Sequence, residues 1–266
     1  MDFFMQGSSL AELCQLVAKL LEGSQRALFI TGAGISADAG IPTYRGIGGL
    51  GCHDAWAPGF DLERELDAGL VHENPARAWE TYREIERESR VDSQDPTHAM
   101  LSHFCQAHHE AWILTQNVDG LHRKAESPNL VELNGNLRDL ECIQCDWRAS
   151  VSTFDDLPAI PRCPECGFIA RPACSLLGEP PLEEAMCAIE RELEQGFDVV
   201  ACIGTSGAAP LINDILHRAH ARETKIVDIN LGDSNISRAA SIRLPVSPSI
   251  GVQRVLELFP DAFNAA

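Results

Sequence analysis

The sequence predicts an α/β fold built on a doubly wound parallel sheet. Three observations carry this. Short, nearly continuous apolar runs recur along the chain, as strands buried on both faces require. Stretches with helical spacing separate them, the alternation that parallel crossovers need. Each run ends in small or polar residues, where open parallel sheets place a ligand crevice. At 266 residues the chain can bury a full core of this kind, with a smaller module appended.

Ser9 to Leu21 carries Leu10, Leu13, Val17 and Leu20 at helical spacing, Ser9 and Glu12 form a capping box, and Gly23 is the expected stop. Ala27 to Thr31 is the first buried strand, and it runs into Gly32-Ala33-Gly34-Ile35-Ser36. A strand, a glycine turn and a helix start in that order aim backbone amides at an anion, and glycine lets a phosphate come close. The same turn is also ordinary α/β punctuation, and the residues alone leave both readings open. Gly46 to Gly51 is too rich in glycine for a stable element and reads as a loop beside the site.

From Ala57 to Glu88 the pattern is helical and charged, with Trp79 and Tyr82 sharing one face as packing residues. Pro96 to Ala107 is a further helix, and Ala111 to Thr115 a second buried strand. That strand leads into Gln116-Asn117-Val118-Asp119-Gly120-Leu121-His122. Amides and a carboxylate at a strand end suit a ribose or a carboxamide, with local turn formation as the alternative. Leu130 to Leu133 is a short strand meeting Asn134-Gly135, a tight-turn pair because both residues tolerate positive φ.

The second half repeats the alternation. Leu182 to Leu193 is helical, and Phe197 to Ile203 is a strand ending at Gly204-Thr205-Ser206. Pro210 to Arg222 is a helix, Lys225 to Ile229 a strand ending at Asn230, Ile242 to Val246 the last strand, and Ile250 to Phe259 a closing helix.

Between the halves lies the sharpest local pattern. Cys142-Ile143-Gln144-Cys145 and Cys163-Pro164-Glu165-Cys166 have the spacing of a four-thiolate zinc site. Four thiolates leave no open coordination position, so the expected zinc is structural. Neither His122 nor Cys174 is needed as a ligand.

A net charge of −18 disfavours nucleic acid and anionic membranes as partners. It fits cationic partners such as lysine-bearing tails, or serves solubility alone. No apolar run approaches the roughly 20 residues that span a bilayer. Met1 to Gly7 lacks a basic n-region, and ten cysteines are too sparse for a disulfide scaffold, so a cytoplasmic location is expected.

Taken together, these motifs resemble the sirtuins of bacterial type, the NAD-dependent protein-lysine deacetylases and deacylases. The resemblance rests on Gly32-Ala33-Gly34-Ile35-Ser36 with Gly40-Ile41-Pro42 and Arg45, on Thr115 to His122, on Glu132-Leu133-Asn134-Gly135-Asn136 and on the cysteine array, in the family's order. Arg171-Pro172, Gly178-Glu179, Gly204-Thr205-Ser206 and Asn230 extend it. It implies a Rossmann-like large domain over about 8–46, 95–137 and 172–262. It also implies a small domain made of a helical insertion, about 47–94, and a zinc ribbon, about 138–171.

NAD would be a co-substrate rather than a redox carrier. The acyl group of a modified lysine would pass to it, giving free lysine, nicotinamide and O-acyl-ADP-ribose, with a histidine as general base. An acyl-lysine protein or peptide is the implied partner.

Residue by residue, the resemblance puts the pyrophosphate at Ala33 and the amides around Gly32 and Gly34. Tyr44 and Arg45 would close over the ribose and phosphate. Gln116, Asn117 and Asp119 would line the ribose and nicotinamide pocket beside Ser36 and Ile41, and Gly204, Thr205, Ser206 and Asn230 would take the adenosine half. Ser175 to Glu179 would pair with the substrate backbone as an added strand.

Three departures stand out. The family's proton-accepting histidine falls at Asn134, and an asparagine side chain cannot exchange a proton near neutral pH. The change fits a deliberate inactivation, which the otherwise intact site favours, or a natural pseudoenzyme. Thr43 stands where the family carries an aspartate, and Ala173 to Leu177 make a smaller, less aromatic wall than usual. The tyrosine–arginine pair of deacylases acting on acidic acyl groups is not met either, because the third residue after Tyr82 is Ile85. An NAD glycohydrolase, an ADP-ribosyltransferase or a non-catalytic binder are the alternatives on the same fold.

Overall fold

The computed structural model describes residues 8–41, 62–90, 96–108 and 110–259. The Gly46 to Gly51 loop, the start of the expected helical insertion, and Thr43, Tyr44 and Arg45 lie outside them.

Helix α1 (Leu10–Glu22) carries the expected capping box, with Ser9 and Glu12 satisfying each other's amides, and it stops at Gly23. It leads into β1 (Ala27–Thr31), which is buried along its whole length. After β1 come the short α2 (Ala33–Asp38) and three helices of the insertion: α3 (Leu62–Glu65), α4 (Leu70–Glu73) and α5 (Pro75–Glu88). The single charged helical pattern of the sequence is thus broken. Asn74 caps α5 through Arg77 N–H, and Pro75 sits in the first turn, where a missing amide costs nothing.

Next come α6 (Thr97–Ala107), β2 (Ala111–Thr115), α7 (Leu121–Lys124) and β3 (Leu130–Glu132). Then follow β4 (Gly135–Cys142), β5 (Arg148–Ser150) and β6 (Ala170–Cys174). The chain closes with α8 (Glu183–Gln195), β7 (Val199–Ile203), α9 (Pro210–Ala221), β8 (Lys225–Ile229), β9 (Ile242–Leu244) and α10 (Pro248–Leu256).

Six strands form one parallel sheet in the order β3-β2-β1-β7-β8-β9. This is the Rossmann-like doubly wound sheet that the sequence predicts. Both faces are covered, which explains the continuous apolar strands. Phe29, Ile113, Ala201 and Val227 pack on one face with α1, α6 and α10. Leu28, Ile30, Leu114, Val200 and Ile226 pack on the other with α8 and α9. The register pairs Thr31 with Thr115 and Ile203, and Ile203 with Ile229. Four neighbouring strands therefore end level, and the loops that follow them meet along one edge.

The second sheet is antiparallel, in the order β5-β4-β6. It shares a core with the helical insertion: Trp79, Tyr82, Leu140, Phe154 and Leu176 bury one another. Trp79 also donates its indole N–H to Ala170 O at 3.0 Å, tying α5 to β6. The described residues of the two segments thus share one core. The expected domain limits at 137/138 and 171/172 fall inside β4 and β6.

Candidate functional site

The strand order reverses between β1 and β7, and in open α/β sheets that point opens a crevice beyond the carboxyl ends. Two glycine loops meet there, backbone on backbone. Gly34 N–H donates to Gly204 O at 2.8 Å, and Gly32 N–H to Ile203 O at 3.1 Å. A Cβ on Gly34 would stand 2.7 Å from Gly204 Cα, and one on Gly32 2.7 Å from Thr205 Cβ. The glycines expected to let a phosphate approach are therefore needed first so that these loops can touch. The amides of Gly32 and Gly34 have protein acceptors, which leaves the Ala33 N–H in the first turn, where helix amides have no intrahelical partner.

Around this contact the polar residues form two hydrogen-bonded sets that adjoin at Gln116 and Asn117. Ser36 Oγ donates to Asp119 Oδ2 at 2.6 Å and accepts from Asn117 Nδ2 at 2.8 Å. Asn117 Nδ2 also reaches Gly32 O at 2.9 Å, and Asp119 Oδ1 accepts from Leu121 N–H at 2.8 Å. Ile41 N–H donates to Ser36 O, which brings Ile41 to the same wall. On the other side, Gln116 Nε2 donates to Thr205 Oγ1 at 2.8 Å, and Asn230 Nδ2 to Thr205 O at 2.9 Å. Ser206 is exposed, its carbonyl accepting from Asn235 N–H at 3.1 Å. The residues singled out at four strand ends are thus brought together by the level register beneath them. Tyr44 and Arg45 lie outside the described residues.

Asn134 joins the second set through Gln116. Its Nδ2 donates to Gln116 O at 2.8 Å, and its own carbonyl accepts from Ser175 N–H at 2.9 Å. The expected Asn-Gly turn is corrected in part. Only Gly135 takes positive φ, at 77°, and Asn134 does not. The pair does not close a hairpin, because β3 lies in the parallel sheet and β4 in the antiparallel one. Gly135 is required because a Cβ there would stand 2.2 Å from Ala173 O on the adjacent strand.

Chemically, the two sets offer amides, hydroxyls and one buried carboxylate, a combination suited to hold a ribose and a carboxamide. The Asn134 carboxamide is neutral and cannot act as a proton acceptor. His122 is also buried, with Nε2 2.9 Å from Thr31 Oγ1. Burial, reinforced by neighbouring His98, pushes its imidazole well below the usual range and keeps it neutral.

The four cysteines converge at the tip of the antiparallel sheet. Their Sγ atoms all lie within 4.8 Å of one another, with Cys142–Cys166 at 3.4 Å and Cys145–Cys163 at 3.6 Å. A regular tetrahedron with Zn–S bonds of about 2.3 Å puts sulfurs about 3.8 Å apart, so the donor set fits zinc. Gln144 N–H donates to Cys142 Sγ at 3.3 Å, the kind of amide contact that stabilises a thiolate.

The expected substrate strand, Ser175 to Glu179, is not an open edge throughout. Leu177 N–H donates to Leu66 O at 3.0 Å, and Leu177 O accepts from Ala68 N–H at 3.3 Å. Leu176 N–H is taken by Glu179 Oε2 at 2.9 Å, while Glu179 Oε1 pairs with Arg171 at 2.8 Å. The Arg171 and Gly178-Glu179 motifs thus lock this turn. Sequence reasoning also passed over Arg138, whose Nη1 donates to Asp119 O at 2.8 Å. No local pattern announces that contact, which depends on how β4 runs behind the loop.

A model of the Sir2 family matches residues 32–209, more than half of the chain. The chain is a member of the Sir2 family. NAD-dependent protein deacylase 2 of Pseudomonas aeruginosa is 34% identical over 253 residues, covering 93% of this chain and 95% of its own. The NAD-dependent protein deacylase of Thermococcus kodakarensis is 34% identical over 235 residues, covering 85% and 87%. Among solved structures, an ADP-ribose complex of a Sir2 homologue matches with a TM-score of 0.83 at 25% identity, covering 95% of this chain and 98% of that one. An NAD complex of a Sir2 homologue matches at 0.82 and 25%, covering 94% and 95%. The fold of this Sir2 chain is therefore that of its family, and its four-cysteine cluster is the tip of the ribbon. Among its described residues, no helix is long and apolar enough to cross a membrane.

Proposed function

We propose that this Sir2 chain is an NAD-dependent protein-lysine deacylase with asparagine at its proton-accepting position. The observation that carries the reading is the meeting of two hydrogen-bonded sets at the strand-order reversal, Ser36, Asn117 and Asp119 on one side and Gln116, Thr205, Asn230 and Asn134 on the other, through the consecutive residues Gln116 and Asn117. Relatives named as NAD-dependent deacylases and Sir2 complexes with NAD and ADP-ribose support it.

NAD enters as a substrate: the acyl oxygen forms a bond to the ribose C1′ as the bond to nicotinamide breaks, and with uptake of one water the acyl group is left on a ribose hydroxyl and the lysine amine is freed. The Ala33 amide faces the pyrophosphate. Ser36, Asn117 and Asp119 hold the nicotinamide and its ribose, with Ile41 beside them. Thr205, Asn230, Ser206 and Gly204 take the adenosine half, and Tyr44 and Arg45 close the ribose side. An acyl-lysine peptide lies against Ser175 to Glu179 through the groups that Leu66 and Ala68 leave open. Zinc, bound by Cys142, Cys145, Cys163 and Cys166, supplies no chemistry to the reaction and holds the ribbon together.

A second reading has its own observation. Asn134 contributes no base, so the chain binds NAD and acyl-lysine without completing turnover. Both readings meet in one comparison: the chain and its Asn134→His form, each assayed with NAD and acyl-lysine peptides. Loss of a general base typically costs about 10²- to 10⁴-fold, so deacylation is expected to rise by that factor in the histidine form. NAD loss without peptide in both forms would identify a glycohydrolase. Tight binding with no turnover in either form would leave the non-catalytic binder.

A further inference from the structure

Behind the Asp119 wall lies a buried ion cluster that the proposed chemistry does not use. Glu86, on the inward face of α5, is fully buried. Its carboxylate accepts from Arg90 Nε at 3.0 Å and from Arg138 Nε at 3.2 Å. A buried carboxylate is tolerated only when paired and hydrogen-bonded in good geometry, and two guanidiniums supply that here.

Arg138 does more than neutralise Glu86. It projects from β4, and its fork is divided among three acceptors. Nε goes to Glu86, Nη2 to Ser89 Oγ at 3.1 Å, and Nη1 to the carbonyl of Asp119 at 2.8 Å. Its own amide is fixed by Asn136 Oδ1 at 3.0 Å. One planar group therefore ties the helical insertion and the β4 strand to the backbone of the residue whose carboxylate meets Ser36. The residue after Asp119 takes a conformation that favours glycine. Gly120 sits at φ 77°, and a Cβ there would stand 3.0 Å from Asn136 Nδ2. A staple that only held α5 to β4 would be complete with Glu86 and Ser89. The arm on Asp119 O carries the contact into the site.

We propose that Arg138 is a positioning residue: it sets the Asp119 wall and couples the helical insertion to the nicotinamide end of the pocket. This rests on the reading of the site as an NAD site. A lysine keeps the charge but lacks the fork, so it cannot serve three acceptors in fixed directions.

The test uses the full zinc-loaded chain and isothermal titration with two ligands, NAD and ADP-ribose, which differ by the nicotinamide. Arg138→Lys is expected to weaken NAD about tenfold and ADP-ribose, which keeps the ribose but not the nicotinamide, only about threefold, with an unchanged circular dichroism spectrum. Glu86→Gln, which leaves Arg138 without its anchoring charge, should shift the ratio of the two affinities in the same direction by a smaller factor. Affinities that fall together, or do not move, would overturn the proposal and leave Arg138 a structural staple. Should Arg138→Lys fail to fold, the Glu86→Gln ratio decides alone. A parent chain that binds neither ligand would instead defeat the site reading, and this proposal with it.

Discussion

At the residue scale the chemistry turns on Asn134, and the pH dependence of stability on the buried His122. Asn134 donates to Gln116 O, so its side chain is engaged with the site's own backbone, and it has no group that titrates near neutral pH. The absent base was legible in the sequence because it falls inside a motif. Its tie to Gln116 was not, because β2 and the end of β3 become neighbours only through sheet pairing. His122 carries a different consequence. Its folded-state pKa lies well below the ordinary value of about 6.5, whereas the unfolded chain titrates near that value. As pH falls through about 6.5 the unfolded state takes up a proton that the folded state refuses, so stability declines toward acid pH by up to about 1.4 kcal/mol per pH unit from this group. Urea midpoints of the parent chain and a His122→Gln variant, compared at pH 7.5 and 5.5, check this. The parent should lose more stability over the interval, and parallel losses would remove His122 as the cause.

At the scale of elements, strands and most helices follow local chemistry closely. The α1 capping box, the buried strand β1 and each Cys-x-x-Cys pair are decided within a few residues of sequence. Where the structure departs from the sequence expectation, a distant segment is the reason. Gly32 and Gly34 make room for Gly204 and Thr205, which lie across the sheet, so the purpose of those glycines is hidden until β1 and β7 pair. Likewise the Leu177 edge is partly closed by Leu66 and Ala68 from the insertion. The ribbon allows a direct prediction. Atomic absorption should find one zinc per folded chain. Chelation should change the fluorescence of Trp147, whose carbonyl accepts from Cys142 N–H, while far-ultraviolet signal from the parallel sheet persists. A folded chain without zinc would contradict it.

At the scale of the whole molecule, the parallel sheet was legible because its strands are buried on both faces and read as uninterrupted apolar runs. That the two insertions belong together was legible only through the family resemblance, since neither shows in its own sequence that Trp79, Tyr82 and Phe154 bury one another. Trp79 is at 0% exposure and bridges to Ala170 O, so Trp79→Ala should destabilise the chain by about 3–5 kcal/mol. Chemical denaturation would check that value, and a loss below about 1 kcal/mol would mean that the two insertions do not share one core.

The chemistry as a whole has one decisive observable, the fate of the acyl group. With Asn134→His, NAD and an acyl-lysine peptide, mass spectrometry of the products should find the acyl group on ADP-ribose, in equal amount to nicotinamide and deacylated peptide. Free carboxylate with unmodified ADP-ribose, or nicotinamide released without any change in the peptide, would contradict the account.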